Sequence, residues 1–191
     1  MEGASEWSKY MIETEELAQC LDSVKIVNAS WYMPNLKIDA WQEHLQERIT
    51  ADTVFFDHDV ICIKTDFPHT MPTLEIFTEN MKKLKIAKDD KVVVYDGSGM
   101  FAVARAQWMM KYFGAENVRV LNGGFKKWKA EGRQYAQNVP QEKDVPIDEE
   151  AVKKGNFAYT EENPHLVIRD IKNMHEFCRR MYQQGKSDGP L

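Results

Sequence analysis

Along the chain, short continuous apolar runs alternate with stripes of apolar residues at helical spacing, as in strands interleaved with helices. Residues 14–21 read as a helix capped at Thr14. Residues 24–29 and 53–56 read as strands. Residues 73–84 carry a threonine cap after Pro72, with Leu74, Phe77, Met81 and Leu84 on one face. Residues 92–95 are apolar on both faces, the mark of a central parallel strand. Residues 100–113 are apolar almost all round, which predicts a buried helix. A strand over 118–121 and a helix over 125–131, stopped by Gly132, complete the set. The reading is an α/β domain, a three-layer arrangement with a central, mostly parallel sheet flanked by helices, spanning residues 1–133 with its elements between about Thr14 and Arg133.

Past Arg133 the pattern changes. Residues 134–165 hold three prolines, many charges and no helical period, so an extended linker is expected there. Residues 166–191 suggest a short strand leading into one amphipathic helix. Its face of Ile171, Met174, Phe177, Cys178 and Met181 would need a protein partner to cover it.

Composition narrows the function classes. A chain of 191 residues suits one well-packed domain plus an appendage, and five Trp, nine Phe and ten Met supply a real core. A net charge of −5 argues against nucleic acid or an anionic membrane as main partner. The most apolar region is interrupted by Arg105, Gln107 and Lys111, so no segment spans a bilayer. The first residues lack both an apolar signal core and an Arg-rich presequence, which favours a cytosolic protein or one imported by another signal. Three scattered cysteines, Cys20, Cys62 and Cys178, form no CxxC pair, so neither a disulfide framework nor a zinc site is expected. Cys20 and Cys178 fall on apolar helix faces as small core residues. The glycosylation sequon at Asn28 lies in a strand expected to be buried and is discounted.

The candidate chemistry lies in residues 91–105, a strand, a glycine loop and the start of a helix, with Asp96 at the handover. Backbone N–H groups in such a loop, together with a helix N-terminus, make an anion cradle. A cysteine there would become an activated thiolate, whereas a carboxylate can carry no sulfur. Asp96 is therefore expected to plug the cradle formed by Gly97, Ser98, Gly99, Met100 and Phe101, with the last two closing the loop as apolar bulk.

Two other readings of the loop are weaker. Residues 97–102 also fit a dinucleotide fingerprint, but the next strand ends in Asn122, without an acid for a ribose. A phosphatase-like nucleophile at Asp96 would need a second aspartate where Ser98 stands. Asp57, His58, Asp59, Cys62 and His69 match no metal-ligand spacing, and the prolines around His69 suggest a rigid loop. Arg105, inside a buried helix, needs a partner, and Asp57 or Asp96 is the expected one in a structural ion pair. Trp31, Trp108 and Trp128 are read as core or domain-contact residues. No metal or cofactor is called for.

Several segments in order resemble the rhodanese family: Ala29-Ser-Trp-Tyr-Met-Pro34, Val54-Phe-Phe-Asp57, Phe67-Pro-His-Thr-Met-Pro72, Val93-Val-Tyr-Asp-Gly97, Ala104-Arg-Ala-Gln-Trp108 and Val120-Leu-Asn-Gly-Gly-Phe-Lys-Lys-Trp128. The resemblance is to the first half of two-domain thiosulfate and 3-mercaptopyruvate sulfurtransferases. In that family an inactive first domain precedes a second one bearing the catalytic cysteine. The resemblance implies a rhodanese-like fold and places Asp96 at the nucleophile position, as is common in the family's first domains. Asn28 departs from the aspartate usual there. Residues 166–191 then resemble the opening of a second domain. Two functions follow: a shortened pseudoenzyme acting as a structural or interaction subunit, or the first part of an active sulfurtransferase that works through a cysteine persulfide. A chain opening on Met1 and ending at Leu191 favours the subunit, inactive alone and held in a larger assembly. The family's usual location makes that assembly mitochondrial, with the cytoplasm as the alternative.

Overall fold

The strand β5 (Val92–Tyr95) organises the molecule. Val92 and Val94 enter one apolar layer, Val93 and Tyr95 the other. A strand apolar on both sides must be covered on both, and helices do this. The structure, a computed structural model, describes residues 10–160.

Five parallel strands form the sheet in the order β1-β6-β5-β2-β4, with β1 Met11–Ile12, β2 Lys25–Asn28, β4 Val54–Phe55 and β6 Val118–Leu121. Helices α3 (Leu74–Lys83) and α4 (Val103–Tyr112) fill one side with Phe77, Met81, Val103, Ala106, Met109 and Met110. On the other side, α1 (Thr14–Ala18) and α5 (Gly124–Ala130) contribute Leu17, Phe125 and Trp128. This is the expected three-layer α/β arrangement. The expected cap also forms, since the Thr73 hydroxyl accepts the Ile76 N–H at 3.3 Å, an interaction worth about 1 kcal/mol.

Four expectations are corrected. Helix α4 starts at Val103, three residues later than the apolar run suggests, because the N–H groups just before it, of Phe101 and Ala102, are turned back onto Asp96. Met100 and Phe101 consequently stay in the loop and face outward, at 49% and 60% exposure, instead of closing it. Cys20 packs only at the margin of the core layer of Leu17 and Trp128, half-buried at the head of a 3₁₀ turn (Leu21–Ser23), since α1 has already ended at Ala18.

Residues 134–160, finally, are more than a linker. They carry β7 (Ala136–Gln137), which pairs antiparallel with β3 (Glu47–Arg48), and α6 (Glu149–Lys154). Tyr159 is buried against Phe77 at 5.1 Å, and its hydroxyl donates to the Ile86 carbonyl at 2.8 Å. No run of helical period announced this, because the segment is held by side-chain clips. The buried Arg48 guanidinium donates to the carbonyls of His44, Ala51 and Val139. It thereby ties the strap 134–148 to the end of α2 (Ala40–Gln46). The expected strand and helix of residues 166–191, including the face from Ile171 to Met181, lie outside the described residues.

Candidate functional site

The carboxyl ends of β2, β4 and β5 place three loops together, at the edge where open α/β sheets bind ligands. Asp96 follows β5 and is fully buried. Its Oδ1 accepts the Ser98 N–H at 2.7 Å and the Ser98 hydroxyl at 2.6 Å. Its Oδ2 accepts the N–H of Phe101 at 3.0 Å and of Ala102 at 2.6 Å. Three of the loop's backbone donors, those of Ser98, Phe101 and Ala102, thus already have this carboxylate as acceptor. A dinucleotide's pyrophosphate would compete with it for them.

Glycine permits this tight turn. A Cβ on Gly97 would lie 2.5 Å from the Tyr32 hydroxyl, and one on Gly124, where φ is +58°, would lie 2.4 Å from the Asp96 carbonyl. That carbonyl accepts the Phe125 N–H at 3.1 Å, which ties the loop to α5.

Behind the loop runs a buried relay that sequence reading missed. Gly97 N–H donates to Ser30 Oγ at 2.8 Å, and Ser30 Oγ donates to Asn28 Oδ1 at 2.5 Å. The Ser30 N–H also reaches Asn28 Oδ1, at 3.0 Å, so the amide must turn its Nδ2 toward His44 Nδ1 at 3.2 Å. His44 Nε2–H then donates to Gln141 Oε1 at 2.8 Å. The imidazole is thus a neutral tautomer, and burial pulls its pKa down to about 4. Tyr32, which donates to Glu43, is pushed above the ordinary phenol range by burial and by that carboxylate. Positions 28, 44 and 141 share no local pattern that could have announced their meeting.

Arg105 does not form the expected ion pair. Its Nη2 donates to the Thr70 carbonyl at 3.1 Å, while Asp57 pairs with Lys143 at 2.9 Å and the Asp96 oxygens are taken by the loop. Desolvation lowers the Arg105 pKa from its ordinary value. Trp108 packs on the core and stacks on Tyr112 with ring centroids 5.4 Å apart. Trp31 instead lies at the rim of a cavity, edge-on to His69 at 4.8 Å and stacked on Phe101 at 6.3 Å.

The loop after β4 pairs His69 Nε2 with Asp59 Oδ1 at 2.7 Å, and His69 takes a left-handed φ of 56°. Cys62 stays apart, its thiol donating to the Asp59 carbonyl at 3.3 Å. Among the described residues no group of three or more His, Cys, Asp or Glu is placed to hold a metal ion. Among the described residues, the exposed large hydrophobics other than Tyr10 all lie on the segments that follow β2, β4 and β5: Met33, Leu36, Ile38, Val60, Ile63, Phe67, Met100 and Phe101.

Comparison with known proteins gives this geometry a family. Residues 58–131 match the family model of the rhodanese-like domain. The chain carries a rhodanese-like domain. A mitochondrial thiosulfate/3-mercaptopyruvate sulfurtransferase of Arabidopsis thaliana is 46% identical over 110 residues, covering 57% of this chain and 29% of that protein. Rat 3-mercaptopyruvate sulfurtransferase is 32% identical over 140 residues, covering 72% and 44%.

Among solved structures, SseA from Escherichia coli, described with the rhodanese fold of 3-mercaptopyruvate sulfotransferases, superposes with a TM-score of 0.73 at 26% identity, over 88% of this chain and 61% of that one. The sulfur transferase subunit of yeast mitochondrial complex I, sub-stoichiometric there, gives 0.62 at 30% identity, over 71% and 49%. The rhodanese-like chain spans between 29% and 44% of the length of the curated relatives it matches. The sheet and its flanking helices are the rhodanese fold.

Proposed function

We propose that this chain acts as a non-catalytic rhodanese-like subunit, a structural or interaction partner in sulfurtransferase chemistry. One observation carries the reading: where a sulfur-accepting thiolate would have to sit, the buried Asp96 carboxylate occupies its own cradle. A sulfur carrier needs a nucleophile that forms and breaks an S–S bond, and a carboxylate does neither. The likeness to a subunit of yeast mitochondrial complex I supports membership of a larger assembly, and together with the plant relative it favours the mitochondrion.

A second reading has its own support. The apolar rim around Phe67 and Phe101, together with the outward-facing His69–Asp59 pair, suits the first half of an active enzyme whose thiolate is supplied by another domain. The purified 191-residue chain is expected to show no turnover of thiosulfate with cyanide, or of 3-mercaptopyruvate with a thiol acceptor. Sustained turnover by the chain alone would overturn both readings. Denaturing mass spectrometry of the native polypeptide separates them: a chain much longer than 191 residues selects the second. Stoichiometric co-purification of the short chain with a larger complex selects the first.

A further inference from the structure

At the carboxyl edge of the sheet, three segments turn large apolar side chains outward. Phe67 is 75% exposed, and Phe101, in the loop that Asp96 seals, is 60% exposed. The segments adjoin: Phe101 stacks on Trp31, and Trp31, Ile38 and His69 line one cavity of about 590 Å³. Exposed apolar side chains scattered singly need no explanation, whereas a group with aromatic members around one hollow marks a docking surface.

The chain itself carries a face to match. Ile171, Met174, Phe177, Cys178 and Met181 recur at helical spacing, a stripe about 15 Å long on a helix. The charges around that stripe suit the rim. Lys172, Arg179 and Arg180 outnumber Glu176, whereas the rim holds Asp39, Asp57, Asp59 and Asp66 against Lys37, Lys64 and Lys143. Reach is sufficient as well. The Thr160 N–H donates to the Phe113 carbonyl at 3.1 Å, just past the far end of α4. Because α4 starts beside the Asp96 loop, the rim lies one helix length away, about 15 Å for its ten residues. Residues 161–170 span up to about 33 Å when extended. So short a tether sets an effective concentration in the millimolar range, and at micromolar protein the chain's own segment outcompetes that of a second copy.

We propose that residues 171–184 dock as an amphipathic helix on the apolar rim of their own chain, with the Ile171–Met181 face against Phe67, Phe101 and Ile38. The segment is then a built-in cap. While it sits on the rim, that surface is closed to other proteins, and it opens when the segment leaves. The contact is tested without sulfur turnover, so it can fail while either functional reading stands.

The test uses the full chain with the photoreactive residue p-benzoylphenylalanine in place of Phe67, whose exposed ring tolerates the change. Light and heavy-isotope copies are mixed in equal parts at micromolar concentration, irradiated and digested for mass spectrometry. Cross-links from position 67 into residues 171–184 are expected, with both halves of each carrying the same isotope. Phe177→Asp, in the segment, is expected to abolish them and to speed hydrogen exchange of residues 171–184 about tenfold. Phe67→Asp, on the rim, is expected to speed that exchange equally. Unchanged exchange in residues 92–95 shows that the domain of each variant is still folded. Cross-links that join light to heavy peptides would assign the rim to a second copy and overturn the proposal. So would the absence of any cross-link into residues 171–184, or exchange there as fast in the unchanged chain as in Phe177→Asp.

Discussion

The Asp96 loop and the neighbouring cavity sit on the same edge of the same sheet, yet they hold their carboxylates differently. Asp96 is fully buried, and its two oxygens accept three backbone N–H groups and the Ser98 hydroxyl. At the cavity, Asp59 is 66% exposed beside His69, and the Lys143 side chain that pairs with Asp57 is half in solvent. The loop has the shape of an anion cradle, and a carboxylate of the chain itself occupies it. The cavity has no recognisable motif, and its ion pairs face water. How firmly a carboxylate is fixed is set by its burial and by the donors that face it more than by charge pairing.

The sharpest way to break this comparison is to alter one carboxylate on each side. Asp96→Ala should cost about 4 kcal/mol, because it removes the buried charged acceptor shared by three backbone N–H groups and leaves a void behind the turn. Asp96→Asn should cost nearly as much, since its amide nitrogen would oppose donors. Asp59→Ala, in the open exposed pair, should change stability by no more than about 0.5 kcal/mol. Urea titration measures all three, and equal effects on the two sides would dissolve the contrast.

Acid supplies the next test. The ordinary histidine pKa is 6.5 and burial holds His44 at about 4, so between these values the unfolded chain binds the extra proton. Stability is then complete above pH 6.5 and falls as pH drops toward 4, by roughly 3 kcal/mol for this one group. His58, also lowered by burial, acts in the same direction. Asn28→Asp would place a carboxylate against His44 Nδ1, so its imidazole should titrate at higher pH by NMR and the acid loss should shrink. An unchanged His44 titration would show that the relay does not transmit charge.

A more local effect concerns the strap that carries Lys143. Arg48→Met should cost about 2 kcal/mol through the carbonyls it abandons. Hydrogen exchange should rise in residues 134–148, with the Asp96 loop as protected as before. Uniform loss of protection would mean that the strap and the loop form one cooperative unit.

Much of the fold was legible in the sequence, because periodicity reports burial. Residues 92–95 and 118–121 are strands with the expected limits, and Thr73 caps α3 as its position suggests. The misreadings share a cause. Arg105 was assigned a carboxylate on chemical grounds, but the nearest carboxylates were already spent on backbone N–H groups and on Lys143. Residues 134–160 look like a linker because their anchors, Gln141, Val139 and Tyr159, bond to partners far away in the chain. The apolar residues 100 and 101 look like helix, and a side chain four and five positions earlier decides otherwise.

By itself the sequence determined the layering of the domain, the parallel sheet and the placing of a carboxylate at the end of β5, since these follow from local periodicity and residue identity. Only the tertiary structure decided which polar groups meet. It brought His44 to Asn28, Lys143 to Asp57 and Asp96 to the N–H groups at the head of α4. Hydrogen bonds depend on angstrom-scale proximity between distant segments, and no local pattern along the chain encodes that distance.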